Sequence, residues 1–198
     1  GIKGWFRRIN VYGERRGILV EHYIISSGLR EIIEGTAIAK DFTHIYASSF
    51  YYNEHGEPCW PAQVINYTNK TQFLFRIEKG ILDINDNAVN DHFAEGELRV
   101  PFRNIVYIGD SATDIPCMRL VNSLGGHSVG VYDLENAASK DTVCRMIRDE
   151  RIRYYVPADY TKGSEMDILI HRIIDKTAAY EVLEEKHLRD RKEAMAKY

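Results

Sequence analysis

No apolar run in this chain approaches the roughly 20 residues that a membrane-spanning helix requires, and the opening GIKGWFRRIN lacks the layout of a secretory signal. A membrane role is therefore not expected. Cysteine is scarce: Cys59, Cys117 and Cys144 are odd in number, widely spaced and set among apolar neighbours. That argues against a disulfide framework or a zinc cluster and favours structural thiols in a reducing compartment, the cytoplasm. Neither sign of charge dominates, since 26 lysines and arginines face 29 aspartates and glutamates for a formal net charge of −3. Nothing in that balance points to nucleic acid, whereas a small phosphorylated ligand stays open. Internal repeats and low-complexity linkers are missing as well. What remains is 198 residues, enough for one domain with a substantial core or a domain with a small appendage.

The pattern along the chain alternates. Trp5 to Arg16 reads as a basic amphipathic helix stopped at Gly17, followed by a strand over Leu19 to Ile25, a turn at Ser26-Ser27-Gly28 and a short helix over Leu29 to Glu34. Thr43 to Ala47 is a strand. Phe50 to Tyr67 alternates aromatics around Asn53-Glu54-His55-Gly56, with Pro58 and Pro61 on the return arm, and reads as an edge hairpin. Thr68 to Lys79 predicts a helix ending at Gly80, and Asp83 to Arg99 an acidic, polar loop. Ser128 to Tyr132 and Arg153 to Val156 are apolar strand runs flanking a helix over Ala137 to Ile152. Ser164 to the end is helical, with Met166, Leu169, Ile170, Ile173 and Ile174 on one stripe and a charged, solvated end. Strands alternating with helices imply an α/β fold with a mostly parallel sheet covered on both faces. The expected division is a core over residues 1–163 and a C-terminal helix over 164–198.

The chemistry concentrates in Asn104 to Asp114, NIVYIGDSATD. Ile105 to Ile108 read as a buried strand, Gly109 permits a tight exit, and Asp110 and Asp114 stand four residues apart where the next helix begins. Two carboxylates aimed at one small volume repel unless a cation or a proton lies between them, so an oxygen-liganded Mg²⁺ is a natural occupant. The same segment also fits a strand, a turn and a capping aspartate.

Three segments, YIISSG at Tyr23 to Gly28, NKTQFLFRI at Asn69 to Ile77 and IGDSATD at Ile108 to Asp114, resemble in order and spacing the second, third and fourth motifs of the haloacid dehalogenase (HAD) superfamily, in its phosphoserine-phosphatase-like branch. The resemblance implies a Rossmannoid three-layer α/β/α fold and a Mg²⁺-dependent phosphatase of small phosphorylated metabolites. Ser26, with the amides of Ser27 and Gly28, would hold a phosphoryl oxygen. Lys70 would neutralise the phosphate and a nucleophilic carboxylate, with Lys79 as the competing lysine. Asp110 would ligate the metal, and Asp114 would support the metal shell or orient Lys70.

Members of the family take their nucleophile from an Asp-x-Asp sequence at the end of a first, central strand, and no Asp-x-Asp occurs in this chain; Asp83 and Asp86 have the wrong spacing. The resemblance therefore implies that the first strand and the cap lie outside the chain, which reads as the C-terminal portion of a longer enzyme. A retained N-terminal fragment is the expected partner, and the chain alone is expected to be inactive. Two other readings stand beside this one. The first is a non-catalytic phosphate-binding module. The second is a GDS-type esterase with Ser111 as nucleophile and Asp167 with His171 as late partners, although that pair has one residue too many between its members.

Overall fold

A computed structural model describes residues 1–196. Its elements are α1 (Ile2–Glu14), β1 (Tyr23–Leu29), α2 (Arg30–Glu34), β2 (His44–Tyr52), β3 (Pro58–Gln63), α3 (Lys70–Lys79), β4 (Val106–Gly109), α4 (Ile115–Ser123), β5 (His127–Tyr132), α5 (Ala137–Arg148), β6 (Tyr154–Pro157) and α6 (Glu165–Met195). By contact they form two units, residues 22–158 and the pair of segments 1–21 and 159–198. The fold class is α/β with parallel strands, as the alternation of periods implied.

All six strands lie in the larger unit, in two three-stranded sheets ordered β1-β2-β3 and β4-β5-β6. β1 runs parallel to β2, and β3 returns antiparallel as the proline-bearing arm of the hairpin. Prolines suit that arm because an outermost strand needs fewer backbone donors. β4, β5 and β6 are all parallel, and every residue of β5 is buried, so both of its faces are covered. Among the described residues, β1 and β4 are not hydrogen-bonded to each other.

One helix serves both sheets. α3 places Leu74 among Tyr107, Met118, Val121 and Val143, and places Phe73 and Ile77 among Tyr46 and Ile65. Phe73 also stacks on Tyr46 with ring centroids 4.5 Å apart. Its C-terminus is Gly80, left-handed at φ 73°, which residues with a Cβ adopt at a cost. Beyond it, the acidic loop is clasped by α3 itself. The buried Arg76 donates from Nη1 to the carbonyls of Ile81, Asp83 and Asp86 and from Nη2 to that of Ile84, while Lys79 Nζ donates to those of Val89 and Asp91.

In the smaller unit, α1 packs against α6 and buries Trp5, Phe6 and Ile9. Trp5 meets Phe6 and Tyr160 edge-on. α6 buries Met166, Ile170, Ile173 and Ile174 and is exposed at most positions beyond Tyr180. No helix of the described residues is long and apolar enough to cross a membrane. All three cysteines are free thiols.

The expected strand over Leu19 to Ile25 needs correction. Leu19 is 78% exposed, and the strand begins at Tyr23 and continues through Ser26-Ser27-Gly28 to Leu29. Apolar composition suggested pairing for Leu19 to Glu21, but pairing begins only at His22, whose carbonyl accepts from the Thr43 amide, and at Tyr23 opposite His44. The Ser-Ser-Gly segment is extended chain with an irregular register between Ile25 and Leu29, in place of a tight turn.

Candidate functional site

The geometry is built outward from the exit of β4. Gly109 ends the strand, and a Cβ there would lie 2.8 Å from Asp114 Cβ, Cγ and Oδ2, so only glycine lets the carboxylate fold back against the strand end. Ser111 and Asp114 form a reciprocal capping box over the short 3-10 turn Ala112–Asp114, with Pro116 tolerated in the first turn of α4. Ser111 Oγ lies 3.0 Å from Asp114 Oδ2 and 2.7 Å from Thr113 Oγ1.

Asp114 is the hub. Lys70 Nζ donates to its Oδ1 at 2.7 Å and Tyr107 Oη to the same oxygen at 2.9 Å, while the Ser111 amide and hydroxyl donate to Oδ2. Lys70 is 5% exposed and Asp114 6%, so this ion pair is buried. Burial alone would raise the Asp114 carboxyl, but the Lys70 hydrogen bond and charge, together with the Tyr107 and Ser111 donors, hold it below the ordinary carboxylate value. Burial above all, and then the Asp114 charge, push the Tyr107 hydroxyl far up, so it stays a donor. Cys117 lies beside this network, its thiol pushed up to about 11 by burial, which makes it an inert packing group.

Asp110 behaves differently. It is exposed, and among the described residues it has no hydrogen-bond or ion-pair partner. The motif thus splits into one free carboxylate at the strand end and one committed carboxylate beneath it. For a Mg²⁺ ion, Asp110 is a suitable hard oxygen donor, whereas the lone pairs of Asp114 already face protein donors. The described residues contain no cluster of three or more acidic, histidine or cysteine groups able to hold a metal. The fit is therefore partial, with Asp110 as its one open protein ligand.

Ser26 lies within β1, following Ile25, which packs on the cluster that contains Tyr107 and Cys117. The Ser26 Oγ accepts from the Gly28 amide at 3.0 Å, leaving its own proton available, and the Ser27 carbonyl accepts from Ser48 Oγ at 3.2 Å. The Gly28 amide is thus used locally and the Ser27 side chain is exposed. α3 packs against both β1 and α4, and this brings Lys70, its first residue, to Asp114. Lys79 is instead held by loop carbonyls at the far end of the same helix.

Sequence reasoning missed Tyr107, which it counted as an apolar strand residue; a hydroxyl-bearing residue seven positions before an aspartate, across a glycine exit, was the available signal. Asp83 and Asp86 cap turns in their own loop, accepting from the amides of Asn85 and Ala88. The groups of the esterase reading also have local partners. The Asp167 carboxylate takes the Gly163 amide and Arg8, and His171 stacks on Tyr12 with ring centroids 3.8 Å apart.

An uncharacterized protein of Borreliella burgdorferi is 25% identical over 183 residues, covering 84% of this chain and 62% of that relative, so the chain spans less than two thirds of the relative's length. The haloacid dehalogenase-like hydrolase model matches residues 2–119, which include Ser26, Lys70, Asp110 and Asp114. The match extends over more than half of the chain, and the protein belongs to the haloacid dehalogenase-like hydrolase family.

Proposed function

We propose that this chain is the phosphate-holding and metal-holding portion of a Mg²⁺-dependent phosphatase of small phosphorylated metabolites, of the phosphoserine-phosphatase-like kind. One observation carries the reading: a buried lysine is aimed by a buried aspartate, while a second aspartate four residues earlier stands open. A buried ammonium fixed by one carboxylate and one turn of chain is preorganised for the charge of a transferring phosphoryl group. Asp114 orients Lys70, Tyr107 and Ser111 orient Asp114, and the Ser26 hydroxyl donates its free proton to a phosphoryl oxygen. Asp110 would hold the Mg²⁺, which when bound supplies charge neutralisation at the phosphoryl oxygens.

The nucleophile of this reading lies outside the chain, on an aspartate that attacks phosphorus and gives an aspartyl-phosphate, which water then hydrolyses. The open edges of β1 and β4 support that assignment. Each is the outer strand of its own three-stranded sheet, so a strand carrying the nucleophile and seated between the two would pair with both.

The experiment is p-nitrophenyl phosphate turnover with Mg²⁺, by the 198-residue chain alone and by the chain co-expressed with the segment encoded immediately upstream. We expect turnover only in the second case, with both polypeptides found by denaturing mass spectrometry in one folded complex. Metal-dependent turnover by the 22.9 kDa chain alone would overturn the assignment of the nucleophile.

A further inference from the structure

In the smaller unit, α1 buries its apolar residues Trp5, Phe6 and Ile9 and lines a cleft of about 570 Å³ with its basic side. Five cationic or protonatable groups face this cleft: Arg7, Arg8 and Arg15 from α1 and its C-terminus, Lys162 from the turn before α6, and His171 from α6. One acid lines it, Asp167, and its charge is already used. Its Oδ1 takes Arg8 Nη2 at 3.3 Å and its Oδ2 takes the Gly163 amide at 2.9 Å.

The cations are left over. Among the described residues, the side chains of Arg7, Arg15 and Lys162 have no hydrogen-bond or ion-pair partner. Arg8 Nε is buried without a partner, although Nη2 of the same guanidinium also serves the Tyr160 carbonyl at 2.7 Å. The neighbouring Arg16 is different, because it is paired with Asp175 and lies over the Tyr12 ring. A concave site of this size, lined by the unpaired side chains of Arg7, Arg15 and Lys162, is suited to an anion.

We propose that this cleft binds a linear, multiply charged anion carrying two or more phosphoryl groups, at a site separate from Lys70 and Asp110. Arg15 lies eight positions after Arg7, about 12 Å along a helix at about 1.5 Å per residue, so a chain of phosphoryl groups can meet both side chains where they lie, whereas one phosphate would have to draw both to a single point. Guanidinium groups favour such oxygens through paired N–H donors. A membrane surface fits less well, because Trp5, Phe6 and Ile9 of α1 are buried and Val11 is the one large apolar side chain of the helix that is exposed, too little to insert into lipid. Base stacking fits less well too, since the Tyr12 ring is covered by His171 at 3.8 Å and by the Arg16 guanidinium at 3.4 Å.

The test is calorimetric titration of the chain with inorganic tripolyphosphate and with orthophosphate, beside co-sedimentation with phosphoinositide-containing vesicles. Tripolyphosphate should bind saturably and more tightly than orthophosphate. The affinity should fall at least about tenfold in Arg7→Gln/Arg15→Gln and also in Lys162→Gln, while Lys192→Gln on the exposed end of α6 should not change it. Unchanged melting temperatures would show that the variants fold, and Lys162→Gln carries the test if the arginine pair does not. Absence of saturable binding, equal losses in Lys192→Gln, or binding to vesicles without binding to tripolyphosphate would each overturn the proposal.

Discussion

Lys70 Nζ lies 2.7 Å from Asp114 Oδ1 with both side chains closed off from solvent, which ties the first turn of α3 to the turn that follows β4. Two charges held this way depend on one another. Removing one strands the other in a poorly solvated place, which costs about 3–5 kcal/mol, whereas replacing both with apolar groups of similar volume is often close to neutral. Lys70→Met alone should therefore lower the unfolding free energy by that amount, and Lys70→Met/Asp114→Leu should lose less than Lys70→Met. Urea unfolding of the wild type, Lys70→Met and the double variant measures it, and a double variant less stable than Lys70→Met would contradict the pairing.

The same pair sets a pH dependence. Asp114 is held below its ordinary value despite burial, so its contribution is complete above that value of 3.8 and disappears as pH falls through the lower folded-state value. At the alkaline end the sign reverses. Burial pushes Tyr46 up to about 12 and Cys117 up to about 11, so their contributions are complete below their ordinary values and are lost as pH rises through the folded ones. Stability profiled by denaturant titration should thus fall off at both ends, and Asp114→Asn should flatten the acid limb alone. An unchanged acid limb in that variant would show that other carboxylates carry it.

Asp110 should separate activity from stability. Because it is exposed and has no partner among the described residues, Asp110→Asn should change unfolding free energy by no more than about 0.5 kcal/mol. In the proposed complex with a nucleophile-bearing segment, the same variant should lose Mg²⁺-dependent turnover. Wild-type rates in Asp110→Asn would remove it from the metal site.

Ser111 distinguishes two hydrolase chemistries. Its hydroxyl serves Asp114 and Thr113 as part of a helix cap, so Ser111→Ala should cost about 1 kcal/mol of stability and reduce phosphatase turnover only mildly. A complete loss of hydrolysis, with turnover of acyl esters by the parent, would favour nucleophilic serine instead.

Particular residues show how much was legible in advance. Gly80 stopped α3 where the helix was expected to end, and the proline arm returned as an edge hairpin, because turn chemistry is local. The start of β1 was not legible, because Leu19 looks as apolar as Ile24 and only the position of β2 decides which of them is paired. Sequence alone could not choose between Lys70 and Lys79 without a family resemblance; in space, Lys79 faces loop carbonyls and Lys70 faces Asp114. Tyr107 and Arg76 escaped notice for the same reason. Each is a polar group inside an apolar pattern, and its partners come from a segment whose fold the pattern does not encode.

Gly109 gives the most direct test of the arrangement around Asp114. Its backbone does not adopt a positive φ, so an added methyl meets no conformational penalty of its own and acts only by contact. That methyl would sit 2.8 Å from Asp114 Cβ, Cγ and Oδ2, closer than carbon atoms tolerate, and the carboxylate would have to swing away from the strand end. The move would stretch the Ser111 contacts at Oδ2 and, through the rigid carboxylate, the Lys70 and Tyr107 contacts at Oδ1. Overpacking of this kind costs about 1–3 kcal/mol. Gly109→Ala should therefore destabilise the chain by that amount and, in the proposed complex with a nucleophile-bearing segment, lower turnover by misaiming Lys70. Gly125→Ala is the control: its φ of 87° makes it strained, but it lies at the other end of α4. It should lower stability while leaving the turnover of the folded fraction unchanged. Equal effects of the two variants on that turnover would mean that the fold as a whole sets activity, rather than the contact between Gly109 and Asp114.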